Sequence, residues 1–589
     1  MSFSRRNFLI ATGVAAASST VLSACSSGDA GGGGKGGDKG TQKVTGNKGA
    51  EILVGTKTDS TGPAPEVPGA VKGGTLYTMD QIDCDHLDPA QIWSSYENLI
   101  TPLFMRGLVG YKVANNGTTT LVGDLATDAG TTKDGGKTWS FTLKDGVKWE
   151  DGADITMEDV RHTFERLFAK FVTFGPRYPQ EWLVGGEKYK GPYEGKHLDS
   201  IEIDGKTVTF HLKEARGDFN FTLGMRAFSL VPKKHDTKED YDKKPFSCGP
   251  YKIDARQIGK SMSLSRNPHW DAKTDPIRNA YPDAFQLRFG FQSLASTDRY
   301  IADQGNDQHT LSMFNEVAAE RIQKVLGDPA LKKRVLNHLD AATYYYAINT
   351  TRITDVKVRQ ALNYAWPAQQ TQLIRGGASS SEIATTVISP LTPGHVDFDL
   401  YGKKAKPAGD PVKAKELLKD AGKEGQKIVI AFQQSDNAVK QAVAIKSALT
   451  KAGFDVVTKQ VDKTSFYSQI GLVNNHFDMF AAGWSADWPG GYTALQPTFD
   501  GRVIADGASN WPQLNDAGVN KAIDAAAKIT DPEEANKAWG AIDRQIMELA
   551  ACVPDYWPIR NWFYGSKVGG VAFDSGNSGI AITKLYAKA

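Results

Sequence analysis

The chain has 589 residues, of which 40% are hydrophobic and 12 are tryptophan, enough for several large cores rather than one. Its 69 basic and 67 acidic side chains nearly cancel, which excludes the concentrated basic face of a nucleic-acid binder. Four cysteines, with no CxxC and no pair at zinc-ligand spacing, exclude a disulfide-dense scaffold and a cysteine zinc site.

In chain order, the first feature is an export signal over residues 1–25. Arg5-Arg6 precede a mildly apolar stretch, Phe8 to Leu22, and the run Leu22-Ser23-Ala24-Cys25 closes it. A cysteine after small residues resembles the bacterial lipoprotein processing site, where that cysteine becomes the new N-terminus and carries the lipid. An incidental cysteine is the plainer reading, but residue type, position and the polar tract behind it all agree with lipidation. Ser4-Arg5-Arg6-Asn7-Phe8-Leu9-Ile10 resembles a twin-arginine signal. Ile10 stands where a basic residue is common, so the general secretory route stays open. The apolar stretch is too short and too diluted by Thr12, Gly13 and Ser18 to span a bilayer permanently. The body is therefore expected outside the cytoplasm, anchored to the cell membrane through an acylated Cys25.

Residues 26–72 read as a flexible linker rich in glycine and proline. Gly31, Gly33 and Gly36 formally satisfy GxGxxG, but no strand precedes them and no helix follows. The body is expected to begin near Gly73. Strand-like alternation appears in Trp139-Ser140-Phe141-Thr142-Leu143 and in Thr207-Val208-Thr209-Phe210-His211-Leu212. Asp410-Pro411 and Asp531-Pro532 place a capping carboxylate ahead of proline at a helix start, and Glu534 sits where a capping box would close. Ile428 to Phe432 reads as a buried strand and Asn437 to Ala452 as a helix with Val439, Ala442, Val443 and Leu449 inward. Phe454 to Val457 reads as the next strand. Strand, helix, strand of this length predicts a parallel pair in a mixed α/β architecture.

Several separated segments resemble the extracellular solute-binding proteins of family 5, which include oligopeptide, dipeptide and nickel binders. They are Leu87-Asp88-Pro89, Gly107-Leu108-Val109-Gly110-Tyr111 and the block from Trp139 to Gly152 followed by Thr156-Met157-Glu158-Asp159-Val160. Further on come Cys248-Gly249-Pro250-Tyr251, Tyr344-Tyr345-Tyr346, Lys413 to Gly422 and Gly483-Trp484-Ser485-Ala486-Asp487-Trp488. The resemblance covers nearly everything after the linker. It implies an α/β, periplasmic-binding-protein-like two-lobed clamp (type II, cluster C) with an extra third lobe. By motif position, clamp lobe I is expected from 73–98, 233–340 and 551–589, the extra lobe from 99–232, and clamp lobe II from 341–550, with the hinge near 340 and 550.

The resemblance also implies a function: a monomeric substrate-binding subunit of an ABC importer that hands peptides to a separate permease and ATPase. A non-peptide solute, such as a nickel chelate or an oligosaccharide, is the alternative. In this family an aspartate of the ligand loop pairs with the ligand's amino group, and the matching position is Asp487. Trp484 and Trp488 are expected as flat apolar walls, and the backbone of Trp484 and Ser485 as partners for an extended peptide. Trp93 matches a first-lobe position that faces ligand, and Tyr345 enters the second lobe beside Tyr344. Against these stands the bland reading, in which the aspartate caps a loop and the aromatics fill cores. Two departures from relatives are visible. Ala481 replaces an arginine that serves a ligand carboxylate, and Ser485 and Ala342 occupy the positions of a disulfide.

Enzyme classes find little support: GxSxG, HExxH and Walker A motifs are all missing. No cofactor or resident metal is expected. Asp80, Asp83, Asp85 and Asp88 cluster around His86, but they lack EF-hand spacing and read as solvated loop carboxylates.

Overall fold

The computed structural model describes residues 53–463 and 465–589. Arg5, Arg6 and Cys25, with the start of the expected linker, lie outside the described residues. From Leu53 on, that linker follows the body. Leu53–Val54 adds a parallel strand to Thr119–Gly123, and the Ser60 hydroxyl, fully buried, accepts from the Gly123 N–H at 2.9 Å. Composition concealed this, because backbone pairing needs no apolar side chain.

Four sheets of three or more strands carry the fold. A five-stranded sheet orders Thr310–Leu311, Thr75–Met79, Ala284–Arg288, Ser261–Arg266 and Tyr251–Gln257. Two three-stranded sheets lie within 53–211. In the second, Trp139 and Phe141 face inward opposite Phe210 and Val208, while Ser140–Thr209 and Thr142–Thr207 bond hydroxyl to hydroxyl on the outer face. This is the expected alternation, one face to the core and one to water.

The largest sheet runs Val335–Leu339, Cys552–Phe563, Ala342–Ile348, Met479–Ser485, Lys427–Gln433, Asp455–Val461, with Ser381–Ile383 also on Cys552–Phe563. Lys427–Gln433 and Asp455–Val461 pair in parallel, joined by the helix Asp436–Lys451, as the sequence predicts. That helix buries Ala442, Ile445 and Leu449, whereas Val439 is 40% and Val443 66% exposed. The inward stripe follows the i, i+3, i+7 spacing, and the two valines lie off it. Cys552–Phe563 serves three partners: its first half pairs with Ala342–Ile348, its second with Val335–Leu339, and its middle with Ser381–Ile383, with a register shift at Tyr344/Tyr345.

Asp410 and Asp531 cap their helices, accepting from the Lys413 and Glu534 N–H groups; only the aspartate half of the box at Asp531 forms. A full box forms between Thr156 and Asp159. Asp85 of the acidic cluster is exposed as expected, but two other members are not. Asp80 is fully buried and accepts from the N–H groups of Met313, Phe314 and Asn315, and Asp88 is fully buried and grips Arg166 at 2.7 and 2.8 Å. These carboxylates stitch distant segments together, an arrangement that loop spacing cannot reveal. Among the described residues no group of His, Cys, Asp and Glu could hold a metal ion, and no helix is long and apolar enough to cross a membrane. Cys84, Cys248 and Cys552 are free thiols, all buried.

Candidate functional site

The loop Ala486–Gly490 follows the strand Met479–Ser485 and feeds the helix Gly491–Phe499. The strand is antiparallel to Ala342–Ile348, with Ser485 opposite Ala342, Trp484 opposite Thr343 and Gly483 opposite Tyr344. The two positions that carry a disulfide in some relatives thus face each other here without sulfur. Glycine at 483 has a steric cause: a Cβ there would stand 2.5 Å from the Tyr344 ring, itself stacked on Tyr556 at 4.7 Å. At 491 a Cβ would meet Trp539 at 2.2 Å.

The helix start pins the loop. Trp484 Nε1 donates to the Thr493 carbonyl at 2.7 Å, and the Asp487 N–H donates to the Thr493 hydroxyl. Asp487, half-buried, accepts from the Tyr178 hydroxyl at Oδ2. Trp488 is 1% exposed; its ring meets Tyr178 edge-on at 4.8 Å and stacks on Tyr492 at 6.1 Å, and its Nε1 donates to Asp218 Oδ2 at 3.0 Å. The Arg216 guanidinium lies 4.7 Å from the Trp182 ring and 5.0 Å from the Tyr492 ring, both cation–π distances. Beside it the Gly217 N–H donates to the Ala527 carbonyl at 3.0 Å. Behind Trp488 a cavity of about 50 Å³ is lined by Asp218, Phe221, Pro489, Gly490 and Trp539.

Electrostatics follow burial. The Asp218 carboxyl is pushed above the usual carboxylate range by burial, against the opposing pull of Arg216 and the Trp488 indole. Burial moves the Tyr492 phenol up to about 12.

The expected residues fall into three groups. Trp484 and Ser485 end the strand and Asp487 and Trp488 lie in the loop that follows it, one continuous segment held to the segments 178–182 and 216–218. Tyr345 points the other way from Tyr344, as strand alternation requires. It is 1% exposed, between Phe499 at 6.0 Å and Trp511 at 6.5 Å, and its hydroxyl finds no hydrogen-bond partner among the described residues. Trp511 also meets Trp484 edge-on at 6.2 Å. Trp93 is half-buried and lies 6.1 Å from Phe174, which stacks on His86 at 5.6 Å. Sequence reasoning missed Tyr178, Trp182, Arg216 and Asp218. One signal was available, the i, i+4 aromatic pair Tyr178 and Trp182 on a single helix.

This geometry offers a carboxylate, its Oδ1 enclosed and its Oδ2 on Tyr178, beside an indole and a strand end: recognition chemistry for an extended, amine-bearing molecule. Residues 120–506 match the family described as "Bacterial extracellular solute-binding proteins, family 5 Middle". The chain is 24% identical over 572 residues to the periplasmic oligopeptide-binding protein OppA of Salmonella typhimurium, covering 91% of this chain and 97% of that one. It is 25% identical over 458 residues to the oligopeptide-binding protein AppA of Bacillus subtilis, covering 72% and 76%. Among solved structures, clavulanic acid biosynthesis oligopeptide binding protein 2 superposes with a TM-score of 0.83 at 29% identity, covering 91% of this chain and all of that one. DppA of Helicobacter pylori in complex with the peptide STSA superposes at 0.63 and 21% identity, over 88% and 99%. The chain belongs to the bacterial extracellular solute-binding proteins of family 5, two-lobed α/β clamps that bind rather than catalyse.

Proposed function

We propose that this chain is the lipid-anchored, extracytoplasmic substrate-binding subunit of an ABC importer. It captures peptides between clamp lobe I (73–98, 233–340, 551–589) and clamp lobe II (341–550) and delivers them to a permease driven by an ATPase. The observation that carries the reading is the Trp484–Trp488 loop. It presents a carboxylate at the end of a strand, with Tyr178 and Asp218 of the extra lobe (99–232) fastening its far side. A peptide's ammonium needs a partner when it leaves water, and Asp487 is that partner. The oligopeptide-binding names of its relatives support the same class of ligand. The anchor rests on Leu22-Ser23-Ala24-Cys25 and the export route on Arg5-Arg6.

One measurement tests both halves: native mass spectrometry of the protein extracted from its own membranes. The expected spectrum shows a chain beginning at an acylated Cys25 and carrying co-purified peptide. An unacylated N-terminus would remove the anchor, and a co-purified sugar or metal chelate would replace the peptide reading.

A further inference from the structure

A second, unrelated site lies between the extra lobe and clamp lobe I. Arg226 is 2% exposed, and no described residue accepts from its guanidinium; its Nε is fully enclosed. Burial and the nearby Arg278 lower its pKa to about 10, which leaves it a cation at neutral pH. A buried, unpaired guanidinium is costly, so something must accept from it.

The neighbouring groups do not supply the acceptor. The Asp574 carboxylate takes three donors of its own, the Gly576 N–H at 2.9 Å, the Asn577 N–H at 3.3 Å and Asn577 Nδ2 at 2.7 Å, and forms no ion pair with Arg226. The Tyr111 hydroxyl donates to the Phe221 carbonyl at 3.1 Å and accepts from no described residue, Arg226 included. What faces Arg226 is a cavity of about 10 Å³, also lined by Asn98, Asp574, Asn577 and Thr583. That is about one water-sized probe, room for a single small occupant. The side chains of Asn98 and Thr583 likewise have no acceptor among the described residues. Three side chains able to donate therefore converge on one small space.

The charges around it are unequal. Asp124 is held by Arg106 at 2.7 Å and Arg278 at 2.8 Å, and Arg278 also holds Asp275 at 3.1 Å. The Lys144 ammonium donates to the Asp124 carbonyl at 2.6 Å. The buried Arg106, Arg278 and Arg226 balance Asp124, Asp275 and Asp574, and the half-buried Lys144 ammonium adds one cation beyond that balance.

We propose that this cavity binds one monovalent anion of chloride size, taking hydrogen bonds from Arg226, Asn98 and Thr583 and fastening the extra lobe to clamp lobe I. An anion supplies both the missing acceptor and the missing charge; a water supplies only the first. The site does not depend on what the cleft carries.

The test uses the full mature chain in halide-free buffer. Crystals soaked in bromide should show an anomalous peak within hydrogen-bond reach of Arg226. In solution, chloride replacing gluconate at constant ionic strength should raise the thermal midpoint by a few degrees and then saturate. Arg226→Met should abolish that rise; should this variant fail to fold, the bromide peak in the wild type decides alone. Absence of the peak, or a chloride response that survives in Arg226→Met, overturns the proposal.

Discussion

Asp487 is the residue on which the peptide reading turns. In the structure its carboxylate accepts from the Tyr178 hydroxyl, and its own N–H is tied to Thr493, so it is positioned before any ligand arrives. Asp487→Asn keeps the shape and removes the charge. A ligand ammonium buried beside the amide would lose its counter-charge, a change that costs ~3–5 kcal/mol. At ~1.4 kcal/mol per decade this is roughly two to three and a half decades of affinity. Acetylating the peptide N-terminus should weaken binding to the wild type by a similar factor and to Asp487→Asn much less. Calorimetry on the four combinations forms a double-mutant cycle. Additive losses would make Asp487 a structural residue. The loop was legible because its residues stand together in sequence. Its partners were not: Tyr178 and Asp218 come from 309 and 270 positions away, and nothing local marks a residue for a contact at that distance.

At the scale of elements, the strand Met479–Ser485 carries the loop, and its glycine is the point most sensitive to added volume. The Tyr344 ring that crosses Gly483 cannot retreat freely, because Tyr556 lies stacked on its other face with only 4° between the planes. Gly483→Ala should therefore cost ~1–3 kcal/mol, the usual range for overpacking. In Tyr344→Ala the same alanine should be nearly neutral. Thermal midpoints of the two single variants and the double would show it; an equal loss in both backgrounds would mean the strain lies in the backbone. Helix and strand types were readable from period alone, as in the 427–461 crossover. The inward face of Asp436–Lys451 was only half readable, because valine on a helix reports hydrophobicity but not orientation. Asp80 and Asp88 misled for the opposite reason, since a carboxylate in a loop is usually solvated and only the tertiary structure brings them their donors.

Across the whole molecule, buried carboxylates respond to pH in opposite senses. The Asp124 carboxyl, paired with Arg278 and Arg106, is held well below the usual range, so its contribution is complete near neutrality and disappears only in strong acid. Asp543 is fully buried with no cation paired to it among the described residues. Its oxygens accept from the N–H groups of Val387 and Ile388, at 3.0 and 2.9 Å, and burial still raises its pKa to about 7. The folded chain therefore binds a proton at Asp543 that the unfolded chain, with a pKa near 3.8, has released. Stability from this site is greatest below pH ~4 and declines as pH rises to ~7, at up to ~1.4 kcal/mol per unit, then levels off. Histidines also respond to pH: His86 has a pKa raised by the Asp242 carboxylate, and the half-buried His338 and His395 have pKa values lowered by burial. The informative quantity is therefore the difference between wild type and Asp543→Asn, not either curve alone. Asn cannot titrate, so whatever its absolute stability, the gap in unfolding free energy should move in favour of the variant between pH 4 and 7 and stay constant above 8. Parallel curves across that window would mean that Asp543 is ionised in the fold, its charge fully borne by the two N–H groups of the 387–388 turn.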